Sequence, residues 1–240
     1  MPRQEKLSLY RRIKQFLRRK KTRLKQAGWY PPPDPVEVPP EIEVLEMIGQ
    51  GRRSCTYRAR YRGEPVALKV YRRALVKRYR WRYGVNLAQF EYNRNRAFWA
   101  NPALRPYTVE PLKLLGVNDG YSAAFVQAWA EGETLKERAT RCGPIPAELL
   151  ALGYHLVHTA HAAGLYDLDF NAGNIKLRRT ATGELPLIYD FNLLPQHLYA
   201  PNPFRWLALR LGLRHPGYRD FAALEGWANL GLTQKQYHLL

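Results

Sequence analysis

Apolar positions along the chain change period several times, and each change predicts a different element. Leu9, Ile13, Phe16 and Leu17 recur at helical spacing, with Tyr10 beside them and Arg11, Arg12, Lys14 and the block from Arg18 to Lys21 on the other face. Residues 1–30 are therefore expected to form a basic amphipathic helix, able either to lie in a membrane interface with its apolar side down or to pack on its own domain with the basic face in solvent. Six prolines between Pro31 and Pro40 exclude helix and predict an extended linker over 31–40. From Glu41 the period drops to two. Ile42, Val44, Met47 and Ile48 mark one strand, and the stretches Cys55 to Tyr61 and Pro65 to Val70 mark two more around a turn at Arg62-Gly63. A helical stretch is expected at 85–100, with strands near Leu112 to Val117 and Tyr121 to Trp129. A long helix is expected from Pro144 to Ala163, then short strands near Ile175 to Leu177 and Leu187 to Tyr189. A strand-rich half over 41–126 thus precedes a helix-rich half over 127–240, an α+β arrangement.

Composition narrows the class. The 240 residues are 46% apolar, enough for a sizeable core, and no run of eighteen apolar residues predicts a membrane span. The first thirty residues lack a signal peptide's apolar centre, so secretion is not expected. Two cysteines, Cys55 and Cys142, exclude a disulfide scaffold and a Cys-rich zinc module, and suit a reducing compartment. Charge is the outlier: 38 Lys and Arg against 20 Asp and Glu give +18. Such an excess calls for a polyanionic partner, whether nucleic acid, an anionic membrane or a phosphorylated substrate. Residues 1–30 hold eleven basic residues and the single acid Glu5, a net +10, so over half the excess sits in the N-terminal segment. That concentration favours an anionic membrane surface over nucleic acid, which would meet a patch on the folded body.

Gly49-Gln50-Gly51 lies between two strands, where glycines let backbone N–H groups approach a phosphate chain; Ser54 stands where a third glycine would fall. Lys69 ends the apolar run Val66-Ala67-Leu68, which puts an ammonium near the sheet interior, where it must be paired or hold an anion. Glu91 is the only acid between residues 65 and 109 and is the expected partner. Acids are equally scarce from 149 to 219, where only Asp167, Asp169, Glu184 and Asp190 occur. Asp169 and Asn174 stand five apart in a Gly-containing loop, and Asp190 closes a short strand. Two such oxygen-bearing side chains can share Mg²⁺, and a third carboxylate can accept a hydroxyl proton. The basic run from Arg72 to Arg82 reads equally as a solvated loop or as a contact for an anionic acceptor or lipid. His155 and His158 share a helix face with no carboxylate beside them, a pattern of packing rather than of a metal site.

The ordered set Gly49-x-Gly51, Val66-Ala67-Leu68-Lys69, Glu91, Asp169-x4-Asn174 and Asp190-Phe191 resembles the protein-kinase-like superfamily over roughly residues 42–195. Within it, Asp169-Phe-Asn-Ala-Gly-Asn174, His161 followed by Gly164, and the tail from Phe204 are similar to the small bacterial lipopolysaccharide core kinases that act on Kdo and heptose. The resemblance implies a two-lobed kinase-like fold with a shortened C-lobe, and ATP and Mg²⁺ as cofactors. Gly49 and Gly51 would cover the phosphates. Lys69, held by Glu91, would bind the α- and β-phosphates, and Asp169 would act as base or orienter for the acceptor hydroxyl. Asn174 and Asp190 would hold Mg²⁺, and Gln127-Ala128-Trp129 would receive adenine through its backbone. It further implies a lipid-linked sugar as acceptor, at the cytoplasmic face of the inner membrane, a location that the +10 charge of residues 1–30 suits. Departures stand beside it. Asn192 replaces the glycine after Asp190-Phe191, Asp167 stands where protein kinases place a histidine, and no Ala-Pro-Glu segment follows. Asn171 stands where protein-Ser/Thr kinases often carry a lysine. The alternative these departures leave open is a pseudokinase, a nucleotide-binding regulatory module without transfer.

Overall fold

The computed structural model describes residues 38–116, 124–181 and 183–230. The helix expected over 1–30 and most of the linker lie outside the described residues. Strands β1 (Ile42–Gln50), β2 (Ser54–Tyr61), β3 (Glu64–Tyr71), β4 (Pro111–Leu115) and β5 (Ala124–Ala128) form one antiparallel sheet in the order β1-β2-β3-β5-β4. Arg62 and Gly63 both take positive φ, 54° and 88°, which a two-residue hairpin between β2 and β3 requires. β3 is central and buried from Val66 to Tyr71, which is why it reads as an apolar run interrupted only by Lys69. β1 behaves differently from its period-two reading. Only Ile42 is buried, while Val44, Met47 and Ile48 are exposed, because β1 is an edge strand whose pairing slips at Val44/Glu46 and again at Met47/Gly49.

Two helices cover the sheet. α1 (Arg73–Tyr83) occupies the basic run, where a solvated loop was one of the two expectations. Its one buried side chain is Val76, so its apolar period is too thin to read; Gly84, at φ 67°, ends it with a left-handed cap. α2 (Leu87–Ala100) starts on Asn86, whose side chain accepts from the Ala88 and Gln89 N–H groups. Its buried face carries Glu91, Arg94 and Asn95 beside Leu87 and Phe98. A polar stripe on a buried helix face needs partners elsewhere: Glu91 finds Lys69 of β3, while Arg94 reaches carbonyls in the second half of the chain.

That half contains α3 (Leu135–Cys142), α4 (Ala147–Ala162), α5 (Pro203–Arg210), α6 (Tyr218–Ala228) and a small antiparallel sheet of β6 (Glu133–Thr134), β7 (Ile175–Thr180) and β8 (Gly183–Ile188). α3 was not anticipated from periodicity, although Thr134 and Glu137 make the reciprocal capping box that signals a helix start. Its core joins Leu135, Leu156, Phe170, Ile188 and Trp227 to Phe98 of α2 and to Phe191. Gly153 of α4 permits close approach to α6: a Cβ there would lie 2.7 Å from the Trp227 ring and 2.8 Å from Leu224. Trp227, drawn in, donates its indole N–H to the Phe170 carbonyl at 2.7 Å, so the α4–α6 pair supports the loop that follows α4. Among the described residues no helix is long and apolar enough to cross a membrane.

Candidate active site

A cleft of about 860 Å³ lies between the two halves. The turn from Ile48 to Ser54 forms its roof, with Gly49 and Gly51 both lining it. The Gly51 N–H donates to Ser54 O at 2.8 Å, closing that turn, and the Arg72 guanidinium donates to Gly51 O at 3.2 Å. At the back, β3 presents the Lys69 ammonium. It donates to Glu91 Oε1 at 2.6 Å and to Asp190 Oδ1 at 3.0 Å, so one cation joins the first sheet, α2 and the end of β8. Glu91 is fully buried behind it, and its Oε1 also accepts the Phe191 N–H at 3.2 Å. Phe191 is buried under α2 against Phe98, ring centroids 5.3 Å apart. Burial pushes the Glu91 carboxyl up and the neighbouring ammonium draws it back. Lys69, between two carboxylates, is held charged, well above its ordinary value. The second buried cation of α2, Arg94, donates to Leu193 O at 2.9 Å and to Tyr166 O, so α2 is tied to the loops on both sides of the cleft floor.

The floor is the loop after α4. Asp167 and Asp169 both have φ 57°, left-handed backbone that aspartate tolerates better than most residues but that still needs outside support. Asp220 of α6 supplies it. Its buried carboxylate accepts the N–H groups of Asp167 and Leu168, each at 2.7 Å, and contacts His161 Nε2 at 2.9 Å. Asp167 is turned inward, away from the cleft, and accepts the Gln196 N–H at 2.7 Å. Asp169 faces the cleft. Its carboxyl is pushed up to about 6, first by burial and then by Asp190, with Arg53 pulling the other way. A base must be ionised to accept a proton. Turnover that uses Asp169 should therefore rise with pH through about 6 and fall off on the acid side. A pH–rate profile measures this, and an acid limb near the ordinary carboxylate value instead would remove Asp169 from that role.

The two side chains expected to hold Mg²⁺ are placed differently. Asp190 lines the cleft beside Lys69; Asn174 ends a short 3₁₀ turn, Ala172–Asn174, and does not itself line the cleft. Among the described residues no three His, Cys, Asp or Glu side chains group as a metal site. The donor set fits Mg²⁺ held with a nucleotide rather than a protein-only cage, since Mg²⁺ commonly takes one or two protein oxygens plus phosphates. Across the mouth, Arg53 donates to the Asn192 backbone carbonyl at 3.0 Å and to its side-chain oxygen, so the roof is latched to the segment after Asp190.

The reading of Gln127 changes. It lies inside β5 between Ala67 of β3 and Pro111 of β4, so its backbone belongs to the sheet and is not offered to a base. Its side chain is a wall instead, accepting from Asn95 at 3.3 Å and donating to Tyr189 O at 3.1 Å. Trp129 and Ala130 are the cleft-lining residues past the end of β5, the indole lying between Arg58 and Lys176 at 5.6 and 5.0 Å.

No protein-family model matches the chain, and no curated protein matches it. Among solved structures, a double mutant of the PknI kinase domain of Mycobacterium tuberculosis matches with a TM-score of 0.55 at 22% identity, over 84% of this chain and 78% of that one. A second double mutant of that domain gives 0.54 at 22% identity, over 80% and 75%. Another structure of the domain gives 0.53 at 21%, over 80% and 72%. The chain has the fold of a protein kinase domain. In the kinase-like fold the first sheet with α1 and α2 forms the N-lobe, and the helical half forms the C-lobe. Lys69 and Glu91 sit in the N-lobe, Asp169 and Asp190 in the C-lobe, and the cleft is the space between the lobes. Sequence reasoning passed over Asp220 and Arg94. Asp220 falls one residue beyond the acid-poor stretch it examined, and an arginine in a chain with 38 basic residues stands out only when buried.

Proposed function

We propose that the protein is an Mg-ATP-dependent phosphotransferase acting on a hydroxyl of a lipid-linked, anionic sugar of the Kdo or heptose type. The observation that carries phosphotransfer is the gathering of Lys69, Asp190 and Asp169 in one cleft beneath a glycine-containing roof, with Glu91 buried behind the lysine. Such a site works by positioning and charge neutralisation. Lys69 would fix the α- and β-phosphates. Asp169 would take the acceptor proton while Asp220 keeps its loop in register. Asp190 and Asn174 would hold Mg²⁺, which when bound supplies neutralisation of phosphate charge. The sugar acceptor draws support from Asn171, which stands where protein-Ser/Thr kinases often carry a lysine, from the absence of an Ala-Pro-Glu segment, and from the lipopolysaccharide-kinase flavour of residues 169–174. The +10 segment over 1–30 suits an anionic bilayer.

One observation favours a second reading, a nucleotide-binding module without transfer: Arg53 and Asn192 close the cleft mouth where phosphates would lie. Incubation of the purified full chain with γ-labelled ATP, Mg²⁺ and a Kdo-bearing lipid acceptor separates the two. The expected result is one phosphate gained by the acceptor, read by mass spectrometry. Nucleotide binding with no transfer to Kdo or heptose acceptors would overturn the proposal in favour of the module.

A further inference from the structure

α5 and the turn after it expose an unusual amount of apolar surface. Phe204 is 86% exposed, Trp206 51%, Leu207 47%, Leu211 61% and Leu213 77%. No residue of α5 is buried. Helical spacing places Phe204, Leu207 and Leu211 on one side, while the half-buried Arg205 and Leu209 turn toward the C-lobe, Arg205 donating to the Tyr218 hydroxyl. A helix that turns Arg205 toward its own domain and its apolar side outward is a docking surface, because single scattered apolar residues are ordinary but a contiguous group is not.

Charge chooses the occupant. From Phe191 to Arg219 there is no Asp or Glu, while the exposed Arg210 and Arg214 are interspersed with the apolar residues. The end of α1 abuts the start of this stretch: Arg82 donates to Pro201 O at 3.2 Å, and the Tyr83 ring meets Tyr199 at 6.0 Å. α1 carries no acid either, and exposes Trp81 at 88%. Self-association through this face would set arginines against arginines. A bilayer containing anionic phospholipid answers both features, since aromatic and leucine side chains enter the acyl boundary while arginines reach phosphate at the headgroup level.

We infer that α5, with the adjoining end of α1, is a membrane-docking surface that seats the C-lobe on an anionic bilayer, separately from any attachment through residues 1–30. It does not rest on phosphotransfer, and its failure would leave nucleotide binding unaffected.

The test uses the full chain with vesicles of mixed phosphatidylglycerol and phosphatidylcholine. Replacing the apolar side through Phe204→Ser, Leu207→Ser and Leu211→Ser together is expected to lower the partition coefficient by about tenfold or more, given the transfer value of such side chains. Binding free energies at separate attachments roughly add, so the loss is read as a ratio even with residues 1–30 present. Brominated phospholipid provides an independent readout on nearly intact protein: it should quench tryptophan emission in the wild type, and measurably less in Trp206→Phe. Unchanged partitioning, or quenching identical in Trp206→Phe, overturns the inference. So does a wild-type dimer, seen by light scattering, that the triple variant dissolves without any change in vesicle binding, because the surface would then belong to a second copy.

Discussion

Asp169→Asn is expected to cut phosphate transfer by about 10²–10⁴-fold while leaving nucleotide affinity near that of the wild type. The carboxylate is the group in the cleft that can take a proton from an acceptor hydroxyl, since Glu91 is buried behind Lys69, Asp167 is turned away and Asp190 is paired with Lys69. Asparagine is the cleaner replacement because residue 169 has φ 57°, which asparagine tolerates. Asp169→Ala should abolish transfer equally and add about 1–2 kcal/mol of backbone strain. The discriminating measurement is kcat against the KM for ATP. A fall in kcat alone assigns the residue to the chemical step, whereas wild-type turnover in Asp169→Asn removes it from its role.

The second large effect is on stability as well as activity. Lys69→Met deletes the cation that two carboxylates share, one fully buried and the other 18% exposed. Removing one member of a buried pair typically costs about 3–5 kcal/mol, because the remaining charge is left without compensation. The sign with pH follows. A lone buried Glu91 has a folded pKa above its unfolded value, so the folded state of the variant favours the protonated acid. The destabilisation should therefore be smallest at low pH and grow as pH rises through the carboxylate range. Glu91→Gln added to Lys69→Met keeps an oxygen for the Phe191 N–H and removes one orphaned charge. The double variant should recover part of the lost stability and none of the transfer. Chemical denaturation at several pH values measures the first, and the ATP assay the second. A Lys69→Met protein as stable and as active as the wild type would mean that the three-way contact carries nothing.

Residue by residue, legibility followed scarcity and periodicity. Glu91 was found because no other acid competes between residues 65 and 109, and the observed 2.6 Å contact agrees with that reading. β3 was found because burial on both faces leaves an apolar run broken only by Lys69. α1 and α3 were missed because each buries too few side chains to impose a period on the sequence. β1 was found as a strand but not as an edge, since alternation reports pleating and not what lies across it. The resemblance implies that the Gln127 backbone receives adenine, yet its two neighbouring strands claim that backbone.

The order of chemical groups along this chain was determined by sequence alone: a glycine turn, a lysine in an apolar strand, one helical acid, and two loop acids in an acid-poor half. Spacing within a single element and the rarity of acids are local properties, and a linear chain displays them directly. Tertiary structure alone decided what holds those groups at work. Asp220 holds the N–H groups of Asp167 and Leu168 from 53 and 52 positions away, Arg94 pins α2 to loops 72 and 99 positions distant, and Arg53 spans 139 positions to latch the cleft mouth. Whether a buried charge meets its partner, and whether an apolar helix side meets a core or faces solvent, depends on distances that exist only once the chain has folded.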